Sequence, residues 1–101
     1  MRRETVQTLM ALPVPILLLV TPATAQDIPD FDPSALCEEL VGDSDETALR
    51  RCRFVEDYGL SELETFWPTT SSAIREICVE QLKKESYAEL ARCVLRLRRA
   101  R

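Results

Sequence analysis

The chain has 101 residues, carries a net charge of −4 and contains no histidine. The missing histidine removes the commonest general base, the commonest zinc ligand and the usual partner of a catalytic serine or cysteine. The acidic balance argues against nucleic-acid binding, because basic residues form no stripe beyond the arginine-rich end at 92–101. These properties favour a small protein without a catalytic centre.

The first 25 residues have the pattern of a secretory signal peptide. Arg2 and Arg3 give a basic start, and an apolar run follows at 9–20. Residues 23–25 (Ala-Thr-Ala) supply a small-residue cleavage site. The apolar run has twelve residues, whereas a membrane-spanning helix needs about 20. We therefore predict a signal peptide over 1–25, a periplasmic or secreted mature domain over 26–101, and no stable membrane span after processing.

The predicted mature domain has 76 residues, which is few for burying a large hydrophobic core. Removing the signal, with its two arginines and one glutamate, changes the net charge from −4 to −5. Residues 26–47 hold eight acids and no base, whereas residues 92–101 hold five arginines and no acid. We expect residues 26–31 to form a mobile acidic leader.

Helix signals begin directly after this leader. The Asp-Pro pair at 32–33 offers an N-cap carboxylate followed by proline at the first helical position. It predicts a helix over 33–41 that ends at Gly42. Asp43 with Glu46 has the pattern of a capping box and predicts the start of a second helix.

Gly59 leaves two interpretations of residues 46–67. One long helix passes through it, since apolar residues on both sides keep a three-four spacing. Alternatively, Gly59 ends the second helix and Ser61-x-x-Glu64 starts another. An interior glycine costs about 1 kcal/mol, which a tertiary contact can offset. We favour the continuous helix, with Pro68 as its end.

Two more helices are predicted after Pro68. The polar stretch at 69–72 offers several N-caps, and the following helix is expected to end near Lys84, because two adjacent lysines suit the helix dipole there. Ser86-x-x-Glu89 predicts a capping box for the last helix. No segment alternates with period two, so we predict an all-α fold of four to five short helices.

Four cysteines occur as two equally spaced pairs, Cys37 with Cys52 and Cys78 with Cys93, each enclosing fourteen residues. An even number of cysteines in a small secreted chain predicts disulfides. Cys78 and Cys93 are offset by only about 1.5 Å about a turn at Glu85, and Cys37 and Cys52 by about 4.5 Å about theirs. We predict two tandem hairpins, stapled by Cys37–Cys52 and Cys78–Cys93. The nested pairing, Cys37–Cys93 with Cys52–Cys78, stays open.

The cysteine spacings are not typical of reactive or metal-binding cysteines. Thiol oxidoreductases carry Cys-x-x-Cys, and structural zinc sites use similarly short pairs. We therefore predict no metal, no cofactor and no catalytic residue. The acids near residue 43 lack the glycine and the final glutamate of a calcium loop, so we interpret them as a solvated face.

Aromatic residues are interpreted mainly as packing residues. Phe54, Phe66 and Trp67 are expected in the core or at a hinge, with an exposed partner-binding groove as the alternative for Trp67, which lies beside a proline. The ring of Tyr87 is expected to close the core while its hydroxyl binds a backbone or carboxylate group. The arginines at 92–101 are expected to complement the helix dipole and the acidic first half, with an anionic lipid surface as the alternative.

The second half carries a recognisable pattern: Trp67, then Arg75-x-x-Cys78, then Ser86-Tyr87-x-x-Leu90-x-x-Cys93. It resembles a group of small exported bacterial proteins of unknown function, which carry this pattern downstream of another cysteine pair. The resemblance implies a periplasmic or secreted helical protein and no known activity.

The leading functional hypothesis is an exported, non-enzymatic binding or accessory protein of the bacterial envelope, whose partner is an unidentified envelope protein. The alternative is a small periplasmic stress-protective chaperone, suggested by acidic and basic ends whose attraction weakens as carboxylates protonate. A carboxylate-based hydrolase is the least favoured, because no pair of acids stands out. No feature of the sequence indicates an oligomeric state.

Overall fold

The computed structural model describes residues 27–100, which form four α-helices and one 3-10 turn. The helices are α1 (Pro33–Val41), α2 (Glu46–Phe66), α3 (Ser72–Glu80) and α4 (Tyr87–Arg99), and the 3-10 turn spans Trp67–Thr69. No strand occurs over residues 27–100, so the predicted all-α class is confirmed. The predicted signal peptide over 1–25 and its cleavage site lie outside the described residues.

The first two helices begin at aspartate caps, one of them not the aspartate expected. The Asp32 carboxylate accepts a hydrogen bond from the Ala35 N–H at 3.2 Å, and α1 ends at Gly42, whose φ is 77°. Both features were predicted. The α2 cap is Asp45, which accepts from the Ala48 N–H at 3.1 Å, so the prediction of Asp43 is wrong. Asp45 immediately precedes the helix, where its carboxylate reaches the free N–H groups of the first turn.

α2 runs unbroken through Gly59, as favoured from the sequence, and ends at Phe66. Gly59 is buried against α4, and a Cβ there would lie 2.7 Å from the Ala88 nitrogen and 2.8 Å from the Ala88 Cα. The missing side chain therefore lets the backbones of α2 and α4 touch. That contact is the physical reason for a glycine inside this helix.

α3 ends at Glu80, short of the predicted Lys84. The two lysines lie in the loop after α3, where each makes a contact with a glutamate. The Lys83 N–H donates to the Glu89 carboxylate at 3.1 Å, and the Lys84 ammonium pairs with Glu39 of α1 at 2.8 Å. These contacts hold the lysines outside the helix, which overrides their favourable interaction with its dipole.

Only half of the capping box predicted for α4 forms. Ser86 caps the helix, since its hydroxyl accepts from the Glu89 N–H at 3.1 Å. The reciprocal bond, from the Ser86 N–H to Glu89, is replaced by the bond from Lys83. Glu89 thus joins the α3–α4 loop to α4.

The two predicted disulfides are present. Cys37–Cys52 joins α1 to α2 with 5.8 Å between the Cα atoms, and Cys78–Cys93 joins α3 to α4 with 5.6 Å. Both Cα separations are usual for cystines. The prediction of two tandem, disulfide-stapled hairpins is therefore confirmed, and the nested pairing is excluded.

The two hairpins pack on each other through α2 and α4 and share one core. Its buried residues are Leu63, Trp67, Ile74, Cys78, Tyr87, Leu90, Ala91, Cys93 and Val94. The second disulfide is part of this core, whereas the first lies beside it, with Cys37 buried and Cys52 half-buried. The buried residues of α4, which lie between Tyr87 and Val94, thus face this core.

Tyr87 ties the segment before α1 to this core. Its hydroxyl accepts a hydrogen bond from the Phe31 N–H at 2.8 Å and donates one to the Pro29 carbonyl at 3.0 Å. Its ring lies 5.0 Å from that of Phe31. The prediction for Tyr87 is confirmed, but the leader predicted as mobile is anchored at Pro29 and Phe31.

We expect Gly59→Ala to lower stability although alanine is the better helix former. The added methyl group meets the backbone of α4, which no side-chain rotation can relieve. Overpacking of about 1–3 kcal/mol outweighs a gain of about 1 kcal/mol in helix propensity. Denaturant unfolding would measure the change. Ser61→Ala, exposed on the same helix, is the control and should be neutral or stabilising. A Gly59→Ala protein more stable than wild type would contradict the close contact.

The two disulfides offer a matched comparison, because each spans a sequence separation of 15. The chain-entropy contribution is therefore the same, about 3 kcal/mol for each. We expect the double variant Cys78→Ala/Cys93→Ala to lose about 1 kcal/mol more than Cys37→Ala/Cys52→Ala, because both of its cysteines are buried, whereas Cys52 is half-buried and leaves a smaller cavity. Urea unfolding of both variants tests this. A larger loss from the Cys37–Cys52 pair would contradict the placement of the core.

Candidate functional site

All four cysteines are oxidised, and no group of acids or cysteines over residues 27–100 is arranged to hold a metal ion. The candidate site is instead a surface hollow along α2, walled by the end of α1 and the start of α4 in its first part and by α4 in its second. It has two adjoining parts. The first, of about 420 Å³, is lined mainly by Leu40, Val41, Ala48, Arg51, Val55 and Arg92. The second, of about 350 Å³, is lined by Glu62, Arg92, Leu95, Arg96 and Arg99. Because Arg92 belongs to both, we describe them together as the furrow.

Exposed apolar side chains lie in the furrow and on α2 beside it. Leu40 and Val55 line the first part and are 54% and 45% exposed. Phe54 and Tyr58, one turn apart on α2, are 69% and 60% exposed. The expectation that Phe54 packs in the core is therefore wrong, whereas Trp67 is buried as predicted. The expectation rested on the apolar area that aromatic residues usually bury, but Phe54 lies on the solvent side of α2.

Arginines border the furrow. Arg92, Arg96 and Arg99 recur at intervals of four and three along α4, which places them on one side of that helix. Arg51, on α2, lines the first part together with Arg92. These four side chains are exposed, and none of them forms an ion pair or hydrogen bond with another residue of 27–100. They leave a concentration of positive charge that the rest of the described chain does not neutralise.

The expected attraction between the arginine-rich end and the acidic first half is not seen. The ion pair present within residues 27–100 joins Glu39 to Lys84 of the α3–α4 loop instead. Arg98 binds uncharged groups at the end of α2. It donates to the Phe66 carbonyl at 3.4 Å and to the hydroxyls of Thr69 and Thr70 at 3.2 and 3.0 Å. Arg98 thus caps a helix terminus, where carbonyls lack partners within the helix.

Glu56 fixes the floor of the furrow. It is only 4% exposed, and its carboxylate accepts three hydrogen bonds from the start of α4. The donors are the Ser86 hydroxyl at 2.6 Å, the Tyr87 N–H at 2.7 Å and the Ala88 N–H at 3.3 Å. A negative charge at this position also suits the positive end of the α4 dipole. Glu56 therefore locks α2 to α4.

Sequence reasoning missed Glu56. A glutamate in an acidic protein is normally interpreted as a surface residue. A signal was nevertheless present, because Glu56 lies three residues before Gly59 and four after Cys52, in the buried stripe of α2. A carboxylate in such a stripe needs hydrogen-bond donors, and the start of another helix supplies them.

Compared with protein-family models, curated proteins and solved structures, the chain matches none of them. The resemblance to small exported bacterial proteins therefore stays a prediction. None of the helices over residues 27–100 combines the length and apolar character needed to cross a bilayer.

We expect Glu56→Ala to lower the free energy of unfolding by about 2–3 kcal/mol, because it leaves donors of α4 buried without an acceptor. Glu56→Gln should lose less, since its amide oxygen still accepts. Denaturant unfolding gives the size of the loss, and hydrogen exchange gives its location, with the amides of Tyr87 and Ala88 losing protection first. The control is Asp57→Ala, an exposed neighbour. Equal effects at positions 56 and 57 would contradict the capping role.

Proposed function

We propose that the chain is an exported, non-enzymatic binding protein of the bacterial envelope and that the furrow is its contact surface. The observation that carries the proposal is the exposure of large apolar side chains in and beside the furrow, with Phe54 and Tyr58 the most exposed. A domain this small has little apolar area to bury, yet it leaves these side chains in water. Such a patch is typical of interaction sites.

Export is supported by the two disulfides, since such cross-links persist in oxidising compartments. A periplasmic or secreted location also agrees with the signal peptide predicted over 1–25. The disulfides provide stability that a core of this size supplies poorly. A cross-linked domain of this kind suits a protein that functions by binding a partner through its surface.

A carboxylate-based hydrolase finds little support around the furrow. The two acids that line it are Glu56 and Glu62, one in each part. Glu56 already accepts three hydrogen bonds from α4. A general acid or base must exchange protons with a substrate, and these bonds commit the Glu56 carboxylate to structure.

A stress-protective chaperone is the second candidate, favoured by the same exposed Phe54 and Tyr58. Chaperone action requires binding to many unfolded clients, whereas an accessory protein binds a defined partner. Suppression of client aggregation at neutral and acidic pH would support the chaperone. Failure at both pH values would remove it.

Affinity capture from envelope extracts tests the leading proposal. The mature domain, 26–101, is immobilised in its oxidised form and should retain a partner in stoichiometric amount under native conditions. Val55→Asp introduces a charge into the furrow at an exposed position and should abolish retention. Arg53→Ser, exposed on the opposite side of α2, is the control and should bind normally. Absence of any stoichiometric partner would contradict the proposal.

A further inference from the structure

We propose that the furrow binds an acidic amphipathic α-helix of a partner protein, about four turns long. This inference rests on the proposed binding function and specifies the chemistry of the partner. Three observations carry it: the length and shape of the furrow, its apolar floor, and the arginines on its rim.

The length of the furrow suits a helix. Its lining residues on α2 run from Ala48 to Glu62. At 1.5 Å per residue these positions are about 21 Å apart, which is the length of about four helical turns. The wall opposite α2 is the end of α1 (Leu40 and Val41) beside the first part and α4 beside the second, so a helix lying along α2 can pack against one of them at each end. A flat bilayer would meet mainly its rims, which argues against a membrane surface as the occupant.

The floor of the furrow accepts an apolar face. Leu40, Val41 and Val55 lie at one end, and Leu95 lies at the other. Helices bound in grooves present apolar residues at i, i+3, i+4 and i+7, which form a continuous stripe. The furrow has apolar residues at both ends, so one such stripe on a helix about four turns long can contact both.

The charges on the rim predict that the partner is negatively charged, and they predict which side of the bound helix faces α4. The α4 rim holds Arg92, Arg96 and Arg99, whereas the α2 rim holds Arg51 and one free carboxylate, Glu62. A bound helix with acidic residues along one flank would place that flank beside α4. Unpaired arginines on a rim raise the association rate with an acidic partner and repel positively charged ones.

A designed peptide provides the probe. It is a fluorescein-labelled helix of about fifteen residues, with leucine along one face and glutamate along one flank. A second peptide carries lysine in place of each glutamate. Fluorescence anisotropy with the oxidised mature domain should show at least about tenfold tighter binding of the glutamate peptide, weakening with added salt.

Charge reversal on the rim tests the site. Arg92→Glu/Arg96→Glu should weaken binding of the glutamate peptide by about tenfold or more and improve binding of the lysine peptide. Arg53→Glu changes net charge on the opposite side of α2 and should alter the affinity by less than about twofold. Circular dichroism and unfolding confirm that each variant folds. A misfolded variant could lose binding of the glutamate peptide, but it would not bind the lysine peptide more tightly.

The inference would be overturned by equal affinity for both peptides, by an equal effect of the Arg53 variant, or by binding to phosphatidylglycerol vesicles with neither peptide bound. Self-association through the furrow, detected by sedimentation and lost in Arg92→Glu/Arg96→Glu, would overturn it in favour of a second copy. A native partner retained equally by this variant would leave the binding function standing and refute the inference. Peptide binding at Arg92 without any native partner would refute the proposed function alone.

Discussion

The contact between the Glu56 carboxylate and the start of α4 is the interaction on which the rest of the fold depends. It occurs in one short stretch, where the absent side chain of Gly59 lets the backbones of α2 and α4 touch. Ser86 both caps α4 and donates to Glu56, so one hydroxyl serves two helices. Each hairpin is closed by its own cystine, but neither cystine crosses between hairpins. The buried carboxylate and the apolar core between α2 and α4 therefore carry the association of the two halves, and burying that charge is tolerated because three donors meet it.

The furrow is a consequence of this docking. Glu56, Ser86 and Ala88, which form this contact, also line the first part of the furrow. Charged residues near it divide by environment. Glu56 and Arg98 are bound to groups of the neighbouring helix or turn and act as structural caps. Arg51 and Arg92 point away from such partners and stay hydrated. The arginine-rich end thus combines two roles within one helix, and its sequence alone does not separate them.

Local signals predicted the local structure well. The Asp-Pro start and glycine end of α1 are specified within a few residues, and equal cysteine spacing with a central turn predicted both staples. The sequence did not reveal features that depend on distant residues. One such feature is the end of α3. Glu89 of α4 and Glu39 of α1 bind Lys83 and Lys84 and hold them in the loop after the helix. An aromatic residue is expected to pack in the core, yet Phe54 lies outside, because Glu56 and Gly59 turn another face of α2 toward α4. The sequence did not predict the furrow: the exposed groove considered was at Trp67, which is buried, and a groove between helices has no motif of its own.

The order of the cysteines along the chain has a consequence for biogenesis. Each cysteine pairs with its nearest neighbour in sequence, the first with the second and the third with the fourth. For a chain exported as proposed, and threaded through a membrane from its amino end, the cysteines meet an oxidant one after another. Successive pairing then yields the native cross-links directly, and no isomerase is required to exchange them. The anchoring of Phe31 by Tyr87 behaves in the opposite way, since those residues are 56 positions apart. The earliest part of the domain to emerge is therefore fastened only after the last helix has arrived.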